Sequence, residues 1–211
     1  MRLILASTSP RRKELLAFLR VPFEVAEPTF VERIRQDLVP GEQAGLFAEE
    51  KARSCAGRFP DDLILASDTL IAVDRTILGK PADVAEAESM LRRLRGREHL
   101  IYTAVALRRE VDHVEDVAVE TVRVWMRTFN EGDLQDYLRT GEGMGKAGAY
   151  AIQGAGAHLI ERIEGDYTAA VGLPLRLVAE LLRKRGLVVP IDVDRLYRTK
   201  PYLNWERFAR S

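Results

Sequence analysis

The sequence predicts a mixed α/β fold in one domain, and three observations carry that prediction. An apolar stretch, Leu3–Ala6, runs directly into a polar turn and a helix start. A second apolar stretch at residues 63–66 leads into Ser67-Asp68-Thr69 and continues extended. Residues 83–95 show a clear helical period, whereas residues 115–126 alternate with period two. Strands and helices alternate early in the chain and strands cluster later, which is the order expected of a mixed sheet with helices packed on it.

Taken in order, Leu3–Ala6 reads as a buried strand and residues 10–19 as a helix, with Ser9 as N-cap and Pro10 at the first helical position, where its missing N–H is no loss. Residues 23–25 read as a short strand and 27–39 as a charged loop. Residues 40–54 read as a helix. Leu70 to Val73 and then Ile77-Leu78 form strand segments around Asp74-Arg75-Thr76. Asp83 caps the next helix with Glu86 three residues on, and Gly96 stops it. Residues 99–107 and 115–126 read as long strands. Asn130 starts a helix that ends before Gly141, residues 141–156 are glycine-rich, and residues 158–163 read as a strand. Gly165-Asp166-Tyr167 reads as a turn and residues 174–185 as a closing helix. Residues 187–211 form a tail bearing Tyr197, Tyr202 and Trp205, expected to pack on the body or on a partner.

Composition narrows the function class. The 211 residues carry 32 Lys plus Arg and 32 Asp plus Glu, so the formal net charge is zero. A general nucleic-acid binder or a membrane-surface protein would be basic. The single cysteine, Cys55, excludes an internal disulfide framework and reads as a buried apolar residue. No apolar run approaches the ~18 residues of a membrane span, and the N-terminal apolar run is too short for a signal-peptide core. The expectation is a soluble protein of the cytoplasm.

The first helix carries the sharpest functional signal. Arg11, Arg12 and Lys13 occupy its first turn. The helix dipole is positive there, and each cation so placed costs on the order of 0.3–1 kcal/mol. Either a bound anion compensates, held by free N–H groups and two guanidinium groups, or the side chains splay into water. Asp68 follows four apolar residues at the expected end of a central strand, where α/β folds gather their sites. It reads either as a metal-holding or proton-accepting carboxylate or as a turn cap. Lys80, between Gly79 and Pro81, reads as a phosphate-binding point charge or as an ordinary loop lysine. Glu32 and Lys51 are unremarkable by local pattern.

Several motifs fail on inspection. The run from Gly141 to Lys146 has three residues where a phosphate loop has four, carries Ala147 where Ser or Thr belongs, and follows a helix. Gly154-Ala155-Gly156 lacks the third glycine of a dinucleotide fingerprint. His99, His113 and His158 lack ligand spacing and read as structural.

Together, Leu5-Ala6-Ser7-Thr8-Ser9-Pro10-Arg11-Arg12, Glu50-Lys51-Ala52, Ser67-Asp68-Thr69, Gly79-Lys80-Pro81, Thr103-Ala104-Val105, the run from Lys146 to Gly154, Gly165-Asp166-Tyr167 and Gly172-Leu173-Pro174 resemble the Maf family of nucleotide pyrophosphatases. The match runs from Leu3 to about Leu182, which divides the chain into a domain at residues 1–188 and a C-terminal tail at 189–211. The resemblance implies an elongated mixed sheet with flanking helices around a central cleft, similar to inosine triphosphate pyrophosphatases. It implies hydrolysis of a nucleoside triphosphate to the monophosphate and pyrophosphate with Mg2+ or Mn2+. By residue match, Ser9, Arg11, Arg12, Glu32, Lys51, Asp68 and Lys80 line the cleft, with Asp68 as proton acceptor and Glu32 and Asp68 as metal ligands. Arg11, Thr69 and Gln153 resemble the branch acting on dTTP and UTP, possession of a different residue after the Asp being usual in the 7-methyl-GTP branch. The resemblance, with the apolar tail around Trp205, also suggests a homodimer, and the neutral charge and lack of a long apolar run point to no nucleic-acid or membrane partner. Two features depart from the family pattern: Val31-Glu32 stands where relatives have two adjacent acids, and Gly145 stands where an Asp often precedes the Lys-Ala-Gly run. The other function class compatible with these residues is a nucleotide-binding regulator linked to cell division that binds without cutting.

Overall fold

A computed structural model of the chain describes residues 1–208. Its spine is a seven-stranded mixed sheet. Strands β1 (Leu3–Ala6), β2 (Phe23–Ala26), β3 (Leu63–Val73), β5 (Glu98–Arg109), β6 (Val114–Met126) and β7 (Ile160–Glu164) lie in the order β2-β1-β3-β5-β6-β7, and β4 (Thr76–Leu78) pairs with the far end of β3. β1 is parallel to both neighbours, with Leu5 opposite Val25 on one side and Leu65 on the other. All other pairings are antiparallel.

The helices are α1 (Pro10–Ala17), α2 (Pro40–Ala56), α3 (Val84–Leu94), α4 (Glu131–Arg139), α5 (Tyr167–Val171), α6 (Leu175–Lys184) and α7 (Val193–Thr199). Strand periodicity divides the core in two. Ile4, Ala6, Ile64 and Ala66 face Phe47, Ala48 and Ala52 of α2. Leu3, Leu5, Leu63 and Leu65 face the larger core, which takes in α1, α3, α5 and α6.

Three expectations change. The segment around Asp68 is no strand end: β3 runs unbroken through Ser67-Asp68-Thr69, with Asp68 opposite Ala104 of β5. The parallel partner β1 does end, at Ala6 opposite Ala66, so β3 loses that neighbour just before Asp68 and opens a gap beside it. Gly165-Asp166-Tyr167 starts a helix, because the Asp166 side chain accepts from the Thr168 N–H and caps α5. Residues 158 and 159 belong to a 3-10 turn, and β7 starts at Ile160.

Up to residue 208 the tail packs on the body; residues 209–211 of it lie outside the described residues. Val189, Val193, Leu196, Trp205 and Phe208 join the larger core, and Trp205 stacks on Tyr167 at 5.7 Å. Burial of Trp205 therefore needs no second copy. Among the described residues, no helix is long and apolar enough to cross a membrane.

Candidate active site

The gap beyond the end of β1 widens into a cleft of about 600 Å³. All nine residues singled out in the sequence line it: Ser9, Arg11, Arg12, Glu32, Lys51, Asp68, Thr69, Lys80 and Gln153. They come from α1, the 27–39 loop, α2, β3, the turn after β4 and the glycine-rich segment.

Lys51 is the centre of one wall. It sits on the buried face of α2, opposite the strand face that carries Asp68, and is only 8% exposed. Its Nζ donates to Glu32 Oε1 at 2.6 Å and to Asp68 Oδ1. Two carboxylates thus share one ammonium group, an arrangement that a buried charge needs to persist. Asp68 Oδ2 is buried and has no hydrogen-bond partner among the described residues. Burial pushes the Glu32 carboxyl up, but Lys51, then Lys80 and Arg12, outweigh it and hold the group below its ordinary value. Lys80 Nζ stands 4.0 Å from Glu32 Oε2 and remains largely exposed, free to swing toward a ligand.

On the other face of β3, Thr69 and the Gly172 carbonyl hold Arg12. Arg12 Nε donates to Gly172 O at 3.0 Å and Nη2 to Thr69 Oγ1 at 3.2 Å, while Ser67 Oγ donates to the same Gly172 O. Thr103 Oγ1 donates to Ala169 O at 2.8 Å and lies 3.1 Å from Thr69 Oγ1. With its single proton committed to Ala169, Thr103 accepts from Thr69. The Thr69 hydroxyl is therefore already spent on Arg12 and Thr103. Burial lowers the Arg12 guanidinium from its ordinary value, partly offset by Asp68. Burial also lowers Arg11, against the opposing influence of Tyr202 and Glu142. Both groups remain cations at neutral pH.

Ser9 occupies the N-cap position with extended backbone, yet its side chain makes no capping bond. Its own N–H donates to Ser7 Oγ at 3.1 Å. The first-turn N–H groups of α1 thus lack a side-chain cap, and the anion reading of the arginine turn gains a geometric basis.

The opposite wall is irregular. Gln153 lies in a turn between 3-10 segments Ala147–Ala149 and Ala155–Leu159, and its Oε1 is buried without a partner among the described residues. Glu142 braces this wall, accepting from the Ala155 and Gly156 N–H groups at 3.0 and 2.9 Å and from Tyr137 OH. Tyr150 lines the cleft and bonds His99 Nε2 at 2.6 Å.

Local sequence reasoning did not single out Lys146, Ser7 or Glu142. Lys146 lines the cleft, donates to Glu142 O, and is lowered from its ordinary value by burial and then by Arg11. Its signal was present in the Lys-Ala-Gly run, but rejecting that run as a phosphate loop hid the lysine. Among the described residues, no group of three or more His, Cys, Asp or Glu side chains converges to hold a metal.

Known proteins place this arrangement in context. A family profile described as Maf-like protein matches residues 2–185. A protein from Pelotomaculum thermopropionicum named dTTP/UTP pyrophosphatase is 42% identical over 184 residues, covering 87% of this chain and 96% of that one. Proteins of the same name from Symbiobacterium thermophilum and Deinococcus radiodurans are 46% and 45% identical over 87% and 88% of this chain, covering 94% of each relative. The solved Staphylococcus aureus Ham1 protein aligns with a TM-score of 0.40 at 13% identity over 61% of this chain and 73% of that chain, a likeness too slight to bear on function. The profile spans every strand and the whole cleft, and the relatives match at this identity over nearly their full length, so the chain belongs to the Maf-like protein family.

Proposed function

We propose that the protein hydrolyses dTTP and UTP to the monophosphate and pyrophosphate by attack of water at the α-phosphorus. The observation that carries this reading is the unpartnered Asp68 Oδ2, buried at the cleft beside a ring of cations. A carboxylate oxygen left free in such a place costs stability and is suited to receive a proton. Arg12, fixed by Gly172 and Thr69, supplies a guanidinium group pre-aimed at phosphate oxygens. Arg11, Lys80, Lys146 and the uncapped start of α1 line the same space and suit a ligand carrying about four negative charges.

Asp68 Oδ2 accepts the proton of the attacking water. The bond between the α-phosphorus and the bridging oxygen breaks, and pyrophosphate leaves with its charge held by Arg12, Arg11 and Lys80. Lys51 holds Asp68 and Glu32 in place through its ion pairs to both carboxylates. Glu32 and Asp68 fit a Mg2+ or Mn2+ ion. Two carboxylates are the set Mg2+ takes from protein when phosphates and water complete its shell, and Glu32 Oε2, 4.0 Å from Lys80 Nζ, lies outside hydrogen-bond distance of it. Such an ion would neutralise charge on the triphosphate. Gln153, with its carbonyl oxygen unpartnered, suits the N3–H of a thymine or uracil ring, a donor that cytosine lacks.

The test is a product assay on the purified protein with Mg2+ or Mn2+ and dTTP, UTP, CTP, GTP, ATP and 7-methyl-GTP. Monophosphate plus pyrophosphate, fastest from dTTP and UTP, is the expected result. Diphosphate plus phosphate overturns the site of attack, preference for another base overturns the specificity, and tight binding without turnover makes the protein a nucleotide-binding regulator.

A further inference from the structure

The segment beyond residue 185 lies outside the family match, yet it reaches the cleft wall that carries Gln153. Asp192 caps α7 by accepting from the Arg195 N–H at 2.9 Å, and the chain then turns back toward the body. Tyr202 OH donates to Glu14 Oε2 at 2.8 Å, and the Tyr202 ring meets Phe18 edge-on just after α1. Trp205 stacks on Tyr167 and meets Tyr197 edge-on at 4.9 Å. Between these anchors sits Asn204, with φ of 60°, a left-handed conformation that asparagine tolerates better than most side chains. Its Nδ2 donates to Ile152 O at 3.3 Å and to Gly154 O at 3.1 Å. One amide thus holds the carbonyls on both sides of Gln153.

We propose that Asn204 is a positioning residue for base selection: the C-terminal segment clamps the Gln153 turn and so fixes the direction in which the Gln153 amide faces the nucleotide. The proposal rests on the pyrimidine reading of the cleft given above. Glu142 holds the N–H groups of Ala155 and Gly156 from inside the domain. Asn204 holds the carbonyls of Ile152 and Gly154 from outside it. Without the second clamp, the turn keeps its internal bonds from Gly154 N–H to Ala151 O and from Ala157 N–H to Gly154 O but loses its outer tether, and Gln153 samples orientations that cannot all present its oxygen to the ring. The two bonds of Asn204 involve none of the cations that face the phosphates, so the effect falls on base recognition and not on the chemical step.

The experiment compares the wild-type chain with Asn204→Asp and Asn204→Gly. Both replacements tolerate positive φ and both delete the double donor; the aspartate also keeps the shape of the side chain. Three readouts are taken: steady-state kinetics on dTTP and CTP, inhibition by inorganic tripolyphosphate, and amide hydrogen exchange of the stretch 151–157. The expected result is a rise of about 3- to 10-fold in KM for dTTP, with kcat within about twofold, from loss of the paired hydrogen bonds. The preference for dTTP over CTP narrows, tripolyphosphate inhibition stays at the wild-type level, and exchange at 151–157 accelerates. Equal losses on dTTP, CTP and tripolyphosphate overturn the proposal, because they mark a general structural role. Unchanged exchange at 151–157 in both variants overturns the clamp itself. A wild-type chain that turns over neither nucleotide makes the pyrimidine reading fail instead, and the exchange measurement still decides whether Asn204 holds the turn.

Discussion

The two walls of the cleft are built on opposite principles. The wall bearing Lys51 and Asp68 stands on a strand eleven residues long and a helix of seventeen, whose own ladders satisfy the backbone. Side chains there are spent on one another and on the ligand space. The wall bearing Gln153 has no such ladder. Its segments are 3-10 turns with an irregular stretch between them, and several of its backbone groups are satisfied by side chains sent from elsewhere, Glu142 from one direction and Asn204 from the other. A regular scaffold can hold charges against their mutual cost, whereas an irregular one can shape itself closely around a ligand only if something else keeps it still.

The contrast can be broken most forcefully on the regular wall. Asp68→Asn keeps the size of the side chain and removes the proton acceptor. Turnover is expected to fall by about 10²- to 10⁴-fold with the fold intact. Single-turnover rates, together with nucleotide affinity measured calorimetrically, check this, and a rate within about tenfold of the wild type rules out the role given to Asp68.

On the irregular wall the same kind of deletion acts on stability before chemistry. Glu142→Ala leaves the Ala155 and Gly156 N–H groups and the Tyr137 hydroxyl without their acceptor. A loss of about 2–3 kcal/mol in unfolding free energy is expected from urea titration. A loss below about 0.5 kcal/mol would mean that water replaces Glu142 and that the turn does not depend on it.

His99 joins the two walls, since it sits on β5 and bonds Tyr150 of the loop. Burial lowers its imidazole to about 3. The folded chain thus keeps His99 neutral while the unfolded chain takes up a proton below about pH 6.5, so stability falls as pH drops through the window between those values. Between pH 6.5 and 5, above the ordinary carboxylate range, the expected loss from this residue is about 2 kcal/mol. His99→Gln should flatten the curve in that interval; an unaltered slope would place its origin elsewhere.

Much of this architecture was legible in residue order. The strand-turn-helix at the start, the cap at Asp83 and the alternation in β6 follow from local periodicity and capping chemistry. The five residues of α5 and seven of α7 are too short to show a helical period, and packing on the core holds them. The arginine turn and Asp68 announced themselves because each sits where a charge is locally costly. Glu32 and Lys51 were visible only through family resemblance, since an isolated glutamate in a loop and a lysine between two glutamates look solvated.

By itself, then, the sequence determined the longer strands and helices, that the chain is neutral overall, and that cations crowd the start of the first helix. These are short-range properties, set by neighbours within a few residues. Only the tertiary structure decided that Lys51 is buried between Glu32 and Asp68, that the Thr69 hydroxyl serves Arg12, and that Asn204 reaches the Gln153 turn some 50 residues away in sequence. Hydrogen bonds and charge pairing act over a few ångströms of space, and no local pattern records which distant residues the folded sheet will bring that close.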